Sequence, residues 1–380
     1  MDVAEVLRKR GHNLIIYSIP DQEQDLSFQL VNHKKFPLYE FLEKKDWDIV
    51  FSLDYYPSIS LICNKMNKLY VSWNTEPPFS NLYSSTVINQ TNLIFVADKW
   101  VADNFKREGI ENIFYLPEGV NLQRCNENRQ TEEQNKEIEC SMICNSKVLS
   151  WQELFQTEHL LDATLGYLDG LVACQNLIYG YDFFEKSLPE YLYKDLMKNS
   201  KIYLPRDSVQ SIQQFYAEQC FYPRISSVDR TIAAKVVSNV ANIKISVYTD
   251  DEKLAGEYLK NCGSLLYENE LAIIDRTKIN INVCPRGFKD GIYGHALRIM
   301  GMGGFLITDY KNGLLEEFVP GKDFIIYEDM KDLVENAKHY LRYPEERCKI
   351  GVNAYEKIAV RHTLDQRIEV IEEIISNVQR

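Results

Sequence analysis

Within nine residues, from Arg286 to Gly294, this chain places three glycines, two cations and a carboxylate: Gly287, Gly291 and Gly294 with Arg286, Lys289 and Asp290. Before them runs Ile279 to Cys284, an apolar, β-branched stretch that reads as a buried strand. After them a helix is expected from about His295 to Met302, stopped by Gly303 and Gly304, with Phe305 to Thr308 returning as a strand. Glycines let a backbone turn sharply and come close to a ligand. A helix that starts where such a loop ends turns its free N–H groups and the positive end of its dipole towards the loop. The backbone from Gly291 through Ile292 and Tyr293 to Gly294 therefore has the makings of a cradle for a phosphorylated ligand. Read alone, the segment fits a structural turn better, because any strand-to-helix connection of a doubly wound sheet needs a turn glycine and a helix start.

The flanking elements must place this loop. Helix Asp2 to Lys9, ended by Gly11, leads to a strand over Leu14 to Ser18. Then come helix Leu38 to Lys45, strand Asp48 to Leu53, helix Ser58 to Met66, strands Leu69 to Trp73 and Leu93 to Ala97, helix Lys99 to Glu108 and strand Ile113 to Leu116. That alternation predicts a parallel sheet covered on both faces. A sheet of this kind ordinarily opens with a strand, whereas this chain opens in a helix, so the usual first strand is expected either to lie upstream of this sequence or to be missing. Asn121 to Lys136 is polar and aperiodic and reads as a linker. Beyond it lie strand Ile138 to Cys144, a long helical region from Gln152 to Lys198, helices near Val209 to Cys220 and Asp229 to Asn239, strand Ile243 to Tyr248, helix Glu252 to Lys260, the glycine-bearing unit, and closing helices Lys331 to Arg342, Pro344 to Val360 and Thr363 to Asn377. The expected division is 1–122, a linker at 123–137, 138–360, and a final helix in 361–380 that packs back on the first domain. Two α/β domains of this kind leave a ligand cleft near the carboxyl ends of their strands.

Composition narrows the function. The 380 residues carry a net charge of −12 and 45% hydrophobic residues, those of a globular chain with no basic stripe for nucleic-acid backbone. No segment reaches the apolar length of a membrane span and no signal-peptide core is visible, so a cytoplasmic protein is expected, free or peripheral to a membrane. The nine cysteines and six histidines are scattered without metal-ligand spacing, so reduced, mostly buried thiols and no metal site are expected.

The run FSLDYYPSISLICNKMNKLYVSWNTEPPFSNLYSSTVINQTNLIFVADKW, followed by GIENIFYLPEGVN, resembles the N-terminal domain of the CgeB-like glycosyltransferases, named for a spore maturation protein. LDATLGYLDGLVACQNLIYGYDFFEKSL and the stretch from Lys278 through IMGMGGFLITDY and LLEEFVPGKDFIIYEDMKDLVENAKHYL to RHTLDQR resemble the same family in the same order. The resemblance implies the GT-B architecture, two Rossmann-like domains facing across a cleft. It further implies a nucleotide sugar held mostly by the C-terminal domain, UDP on family grounds, with no cofactor and no metal requirement. The acceptor is left open between glycan, protein and small molecule, and so is retention or inversion.

Chemistry fits that implication. Breaking the glycosyl bond builds negative charge on the diphosphate, which helix N-termini, amides and Arg or Lys must neutralise when no metal does. Arg230 matches a family arginine, with Lys235 a weaker partner; Arg286, Gly287, Gly291, Ile292, Tyr293 and Gly294 form the loop. Related GT-B enzymes carry two acids eight positions apart here. Asp290 holds the first place, implied to orient the donor sugar, and Arg298 stands at the second. His295 occupies a position where the family has arginine. Guanidinium cannot accept from ribose hydroxyls but can face phosphate bidentately, so Arg298 is expected at the diphosphate and His295 beside it. On the acceptor side Glu76 is a candidate base as well as a plain loop carboxylate. Asp54, Asp98, Asp309 and Tyr310 are lesser cleft candidates, Trp73 is expected in the core, and His12 at a turn. The same swaps at 295 and 298 also fit a degenerate GT-B protein that binds nucleotide, sugar or a partner without turnover. A GT-B-like epimerase lacks assignable acid-base residues.

Overall fold

The computed structural model describes residues 2–18, 37–144, 148–178, 181–251 and 254–378. Two all-parallel sheets organise it. The first has the order β1-β2-β3-β4, from Ile49–Leu53, Leu69–Asn74, Asn92–Val96 and Ile113–Tyr115. The second has the order β10-β9-β8-β5-β6-β7, from Ile325–Ile326, Leu306–Thr308, Thr277–Asn282, Ile138–Ile143, Ile245–Tyr248 and Leu259–Asn261. Its strand order reverses between β5 and β8, and the crevice at such a switch point is where open α/β sheets bind ligands. The glycine-bearing loop leaves the carboxyl end of β8 at that switch point.

Several expectations need correction. Leu14 to Ser18 forms no strand; Ile15 and Ile16 are 51% and 66% exposed, and only Tyr17 of the stretch packs on the core of the first sheet. The linker stretch is packed: Leu122–Asn128 is a helix capped by the Asn121 side chain, 3.2 Å from Arg124 N, and its Cys125 is buried. Glu252 and Lys253 lie outside the described residues, and 254–258 are not helical; Leu259 enters the edge strand β7 instead, Gly256 being a poor helix former. The region 152–198 divides into Trp151–Leu154, Asp162–Asn176 and Glu190–Lys198. Conversely, the two helices expected near 209–239 are one run, Ile212 to Val240, with π turns at Ala217–Phe221 and Val236–Val240. Pro223 has no amide hydrogen to continue an α ladder, and the first π turn directly precedes it. Helix Tyr267–Asp275 was not expected.

The last helix, Leu364–Val378, lies against the first sheet. Leu364, Ile368 and Ile371 are buried with Val71, Trp73, Leu93 and Phe95, together with Val6 of helix Asp2–Lys9. Trp73 is a core residue, its Nε1 donating to Leu116 O at 3.0 Å. Gly119 permits the chain to cross here, since a Cβ would fall 2.6 Å from Leu364 Cα. Ile368→Ala is expected to cost about 2–4 kcal/mol, read as a lower urea midpoint, because the site is fully enclosed. Six of the nine cysteines are buried and none is paired. No helix among the described residues is long and apolar enough to cross a membrane.

Candidate active site

The loop after β8 is held on all sides. Arg286 donates from its backbone N to Ser226 Oγ (2.9 Å), from Nε to Asp229 Oδ2 (2.6 Å) and from Nη1 to Ile178 O (2.8 Å). Lys289 pairs with Asp182 and lies 3.6 Å over the Tyr222 ring. Asp290 Oδ1 accepts from the amides of Gly291 and Gly313, each at 2.8 Å. Asp98, fully buried at the end of β3, caps the helix Lys99–Arg107 and also accepts from Lys289 N at 2.5 Å, while Lys99 N donates to Asp290 O at 3.0 Å. Burial pushes the Asp98 carboxyl up to about 6 despite these amide donors. The first-sheet half thus grips the loop of the second. Gly291, at φ +123°, is the contact point, because a Cβ there would lie 2.5 Å from Ala97 O.

The helix Gly294–Gly301 begins without a side-chain cap. Glu118, from the connection after β4, presses its carboxylate against Gly294, where a Cβ would fall 1.4 Å from Oε2. Arg298 Nη1 holds that carboxylate at 2.8 and 2.9 Å, and its Nε reaches Glu270 at 3.0 and 3.1 Å. His295 Nδ1 is 2.5 Å from Glu270 Oε1. Arg298 and His295, expected at a diphosphate, therefore face carboxylates from two other segments. Burial raises Glu270, but Arg298 and His295 outweigh it and hold the carboxyl at about 2. Glu118 is pushed up by burial, with Arg298 opposing and Glu76 and Glu270 adding to the rise.

Beside this cluster lies a cavity of about 220 Å³, walled by Glu76, Pro77, Tyr222, Arg230, Gly287 and Tyr293 among others. Arg230 is the one cation among the described residues lining it, beside the carboxyls of Glu76 and Glu218, with Nε 3.4 Å from Val283 O; burial pushes the Glu218 carboxyl up. Gly287 lets the wall close, a Cβ there meeting Pro77 Cβ at 3.2 Å. The Tyr293 phenol is raised by burial and by Glu76. Asp54, at φ +64° after β1, is exposed as a residue, yet its carboxyl rises to about 6 through desolvation and then Glu76. Structure thus brings Glu76, Arg230, Gly287 and Tyr293 together. Asp290 and Arg286 line a different cavity on the other side of the loop, and the Ile292 side chain is turned into an apolar cluster. Asp309, directly after β9, accepts from Cys284 N at 2.9 Å. His12 pairs with Glu372 of the last helix. Glu118 and Glu270 escaped the sequence reading. Glu118 stands inside the LPEGVN run that carries the resemblance, but Glu270 offered no signal. Among the described residues no group of three or more His, Cys, Asp or Glu could hold a metal ion.

Two parallel α/β sheets with a cavity walled from both halves are the architecture of GT-B glycosyltransferases. Residues 230–373 match the family model described as glycosyl transferase-like. Solved structures of the same fold include Anabaena HepE in complex with UDP and glucose, 10% identical, covering 98% of this chain and 89% of that one with a TM-score of 0.50. A point mutant of Staphylococcus aureus TarM in complex with fondaparinux, alpha-GlcNAc-glycerol and UDP is 10% identical and covers 89% and 58% with a TM-score of 0.50. A glycosyltransferase from Rickettsia africae is 13% identical over 99% and 88%, with a TM-score of 0.49. No curated protein sequence matches the chain.

Proposed function

We propose that this protein transfers a hexosyl-type sugar from a nucleoside diphosphate donor to an acceptor hydroxyl, with the donor diphosphate at the Arg230 cavity. The observation that carries the reading is Arg230, 8% exposed, opening as the one cation among the described residues onto a cavity that also holds Glu76, Glu218 and Tyr293. As the bond from the sugar to the phosphate oxygen breaks, its electron pair stays on the diphosphate, where Arg230 stabilises it. Glu76 is the carboxylate placed to take the acceptor proton if the reaction inverts. Asp290, committed to Gly291 and Gly313, acts by shaping the loop that presents the donor. Uridine nucleotides are the first donors to test, since HepE and TarM were each crystallised with UDP. The resemblance implies no metal requirement, so a chelator is expected to leave transfer unchanged.

The test is thermal stabilisation across a panel of nucleotide sugars, with donor hydrolysis followed in parallel. Stabilisation by one donor with slow nucleotide release supports transfer. No response to any nucleotide sinks it. Arg230→Met is expected to weaken nucleotide diphosphate binding by about 10- to 100-fold, the loss of one charge-assisted contact of roughly 1.5–3 kcal/mol. Undiminished binding by that variant would move the diphosphate elsewhere. One observation favours a second reading, a GT-B protein that binds without turnover: Arg298 and His295 are already engaged by Glu118 and Glu270. Stabilisation with no release of product by any donor is its signature.

A further inference from the structure

We propose that the second cavity, across the 286–290 loop from Arg230, binds a neutral saccharide, and that this saccharide is the acceptor. The acceptor role rests on the glycosyltransferase reading; saccharide binding does not. The cavity measures about 410 Å³, within the roughly 300–1,000 Å³ usual for small-ligand sites.

Three exposed aromatic rings from three parts of the chain line it. Trp100 stands in the first turn of the helix after β3, Tyr310 follows β9, and Tyr181 lies in the connection between helices Asp162–Asn176 and Glu190–Lys198. They are 38%, 44% and 61% exposed, whereas Trp73 and Trp151 are buried. A ring face is electron-rich and attracts the polarised C–H groups of a pyranose, so rings around a concavity suit a sugar's apolar face.

The polar lining is balanced in charge and suits a ligand that carries none. Arg286, Lys289 and Lys311 are matched by Asp182, Asp290 and Asp309, so three cations meet three carboxylates and the wall has no net formal charge. Each is anchored: Lys289 by Asp182, Arg286 by Asp229, Lys311 by Phe288 O at 2.6 Å, Asp290 by Gly291 and Gly313 amides, and Asp309 by the Cys284 amide. A carboxylate still has further lone pairs and an ammonium further protons. A neutral polyol can donate to the carboxylates and accept from the cations without opposing either.

The experiment titrates intact protein with maltotriose, cellotriose and chitotriose by calorimetry, and repeats each with Trp100→Ala and Tyr310→Ala. Both positions are exposed enough that folding should survive, which a thermal melt of each variant verifies. At least one trisaccharide is expected to bind, and either variant to weaken it about tenfold, the worth of one lost ring contact, while UDP binding is unchanged. Silence from all three trisaccharides overturns the proposal, as does equal binding by both variants. Donor hydrolysis without trisaccharide binding removes this inference and leaves the glycosyltransferase reading. Trisaccharide binding that both variants weaken, in a protein indifferent to every nucleotide sugar, does the reverse.

Discussion

Gly291→Ala is expected to lower stability by about 2–6 kcal/mol and to abolish donor turnover in the same protein. Two costs add. A φ of +123° strains any residue with a Cβ, by roughly 1–3 kcal/mol. The new Cβ would also meet Ala97 O at 2.5 Å, a backbone atom inside a buried strand end that cannot rotate away, and overpacking of this sort costs about 1–3 kcal/mol. Relief requires pulling residue 291 from β3, which breaks the Lys99-to-Asp290 bond and withdraws Lys289 N from Asp98. Gly287 and the cavity wall move with them. Gly313 shares the contact, a Cβ there lying 2.3 Å from Gly291 Cα, so Gly313→Ala should act on the same loop and the double variant should fall short of additive. Denaturant midpoints with parallel donor hydrolysis check this. An unchanged midpoint for Gly291→Ala would show that the halves do not meet here.

Arg298→Met should cost a comparable 3–5 kcal/mol, because it leaves Glu118 and Glu270 buried without their cation. Its sharper signature is in pH. Glu270 is held at about 2 in the native protein against 4.5 ordinarily, so it adds stability above pH 4.5 that is lost as pH falls from there towards 2. With the side chain 6% exposed, that contribution is about 3 kcal/mol. Glu118 opposes it: its raised carboxyl is destabilising when ionised and becomes less so on acidification. Without Arg298, Glu118 loses its opposing cation and Glu270 keeps only His295, so the variant should gain more stability on mild acidification from neutral pH than the natural protein, in which Asp98, Asp54 and Glu118 are already raised. Urea unfolding across pH reads the sign directly. Arg298→Glu, which restores the acid that the family resemblance places there, should be worse still, with three carboxylates converging. A mild effect would show that Glu270 and Glu118 already relax towards solvent.

The elements that periodicity defines well formed nearly where expected. Helix Pro57–Met66, strand Asn92–Val96 and the loop between β8 and helix Gly294–Gly301 each depend on local pattern and punctuation. Leu14 to Ser18 did not, since an apolar run becomes a strand only when a neighbour pairs with it and a face is buried. Helix Tyr267–Asp275 was missed because YENELAIID has an apolar tail too short to show a stripe, and its Glu270 is explained only by what it meets.

By itself the sequence determined two parallel α/β layers, the glycine-bearing turn at a strand end, and the presence of Arg230, Glu76 and Tyr293 in segments that could reach a cleft. Those follow from interactions within a few residues, where spacing is geometry. Tertiary structure alone decided that Arg298 answers to Glu118, 180 residues away, and to Glu270, 28 away, and that Asp290 faces a different cavity from Arg230. The charge balance of a site depends on which distant side chains packing brings within hydrogen-bond reach, and spacing along the chain does not encode it.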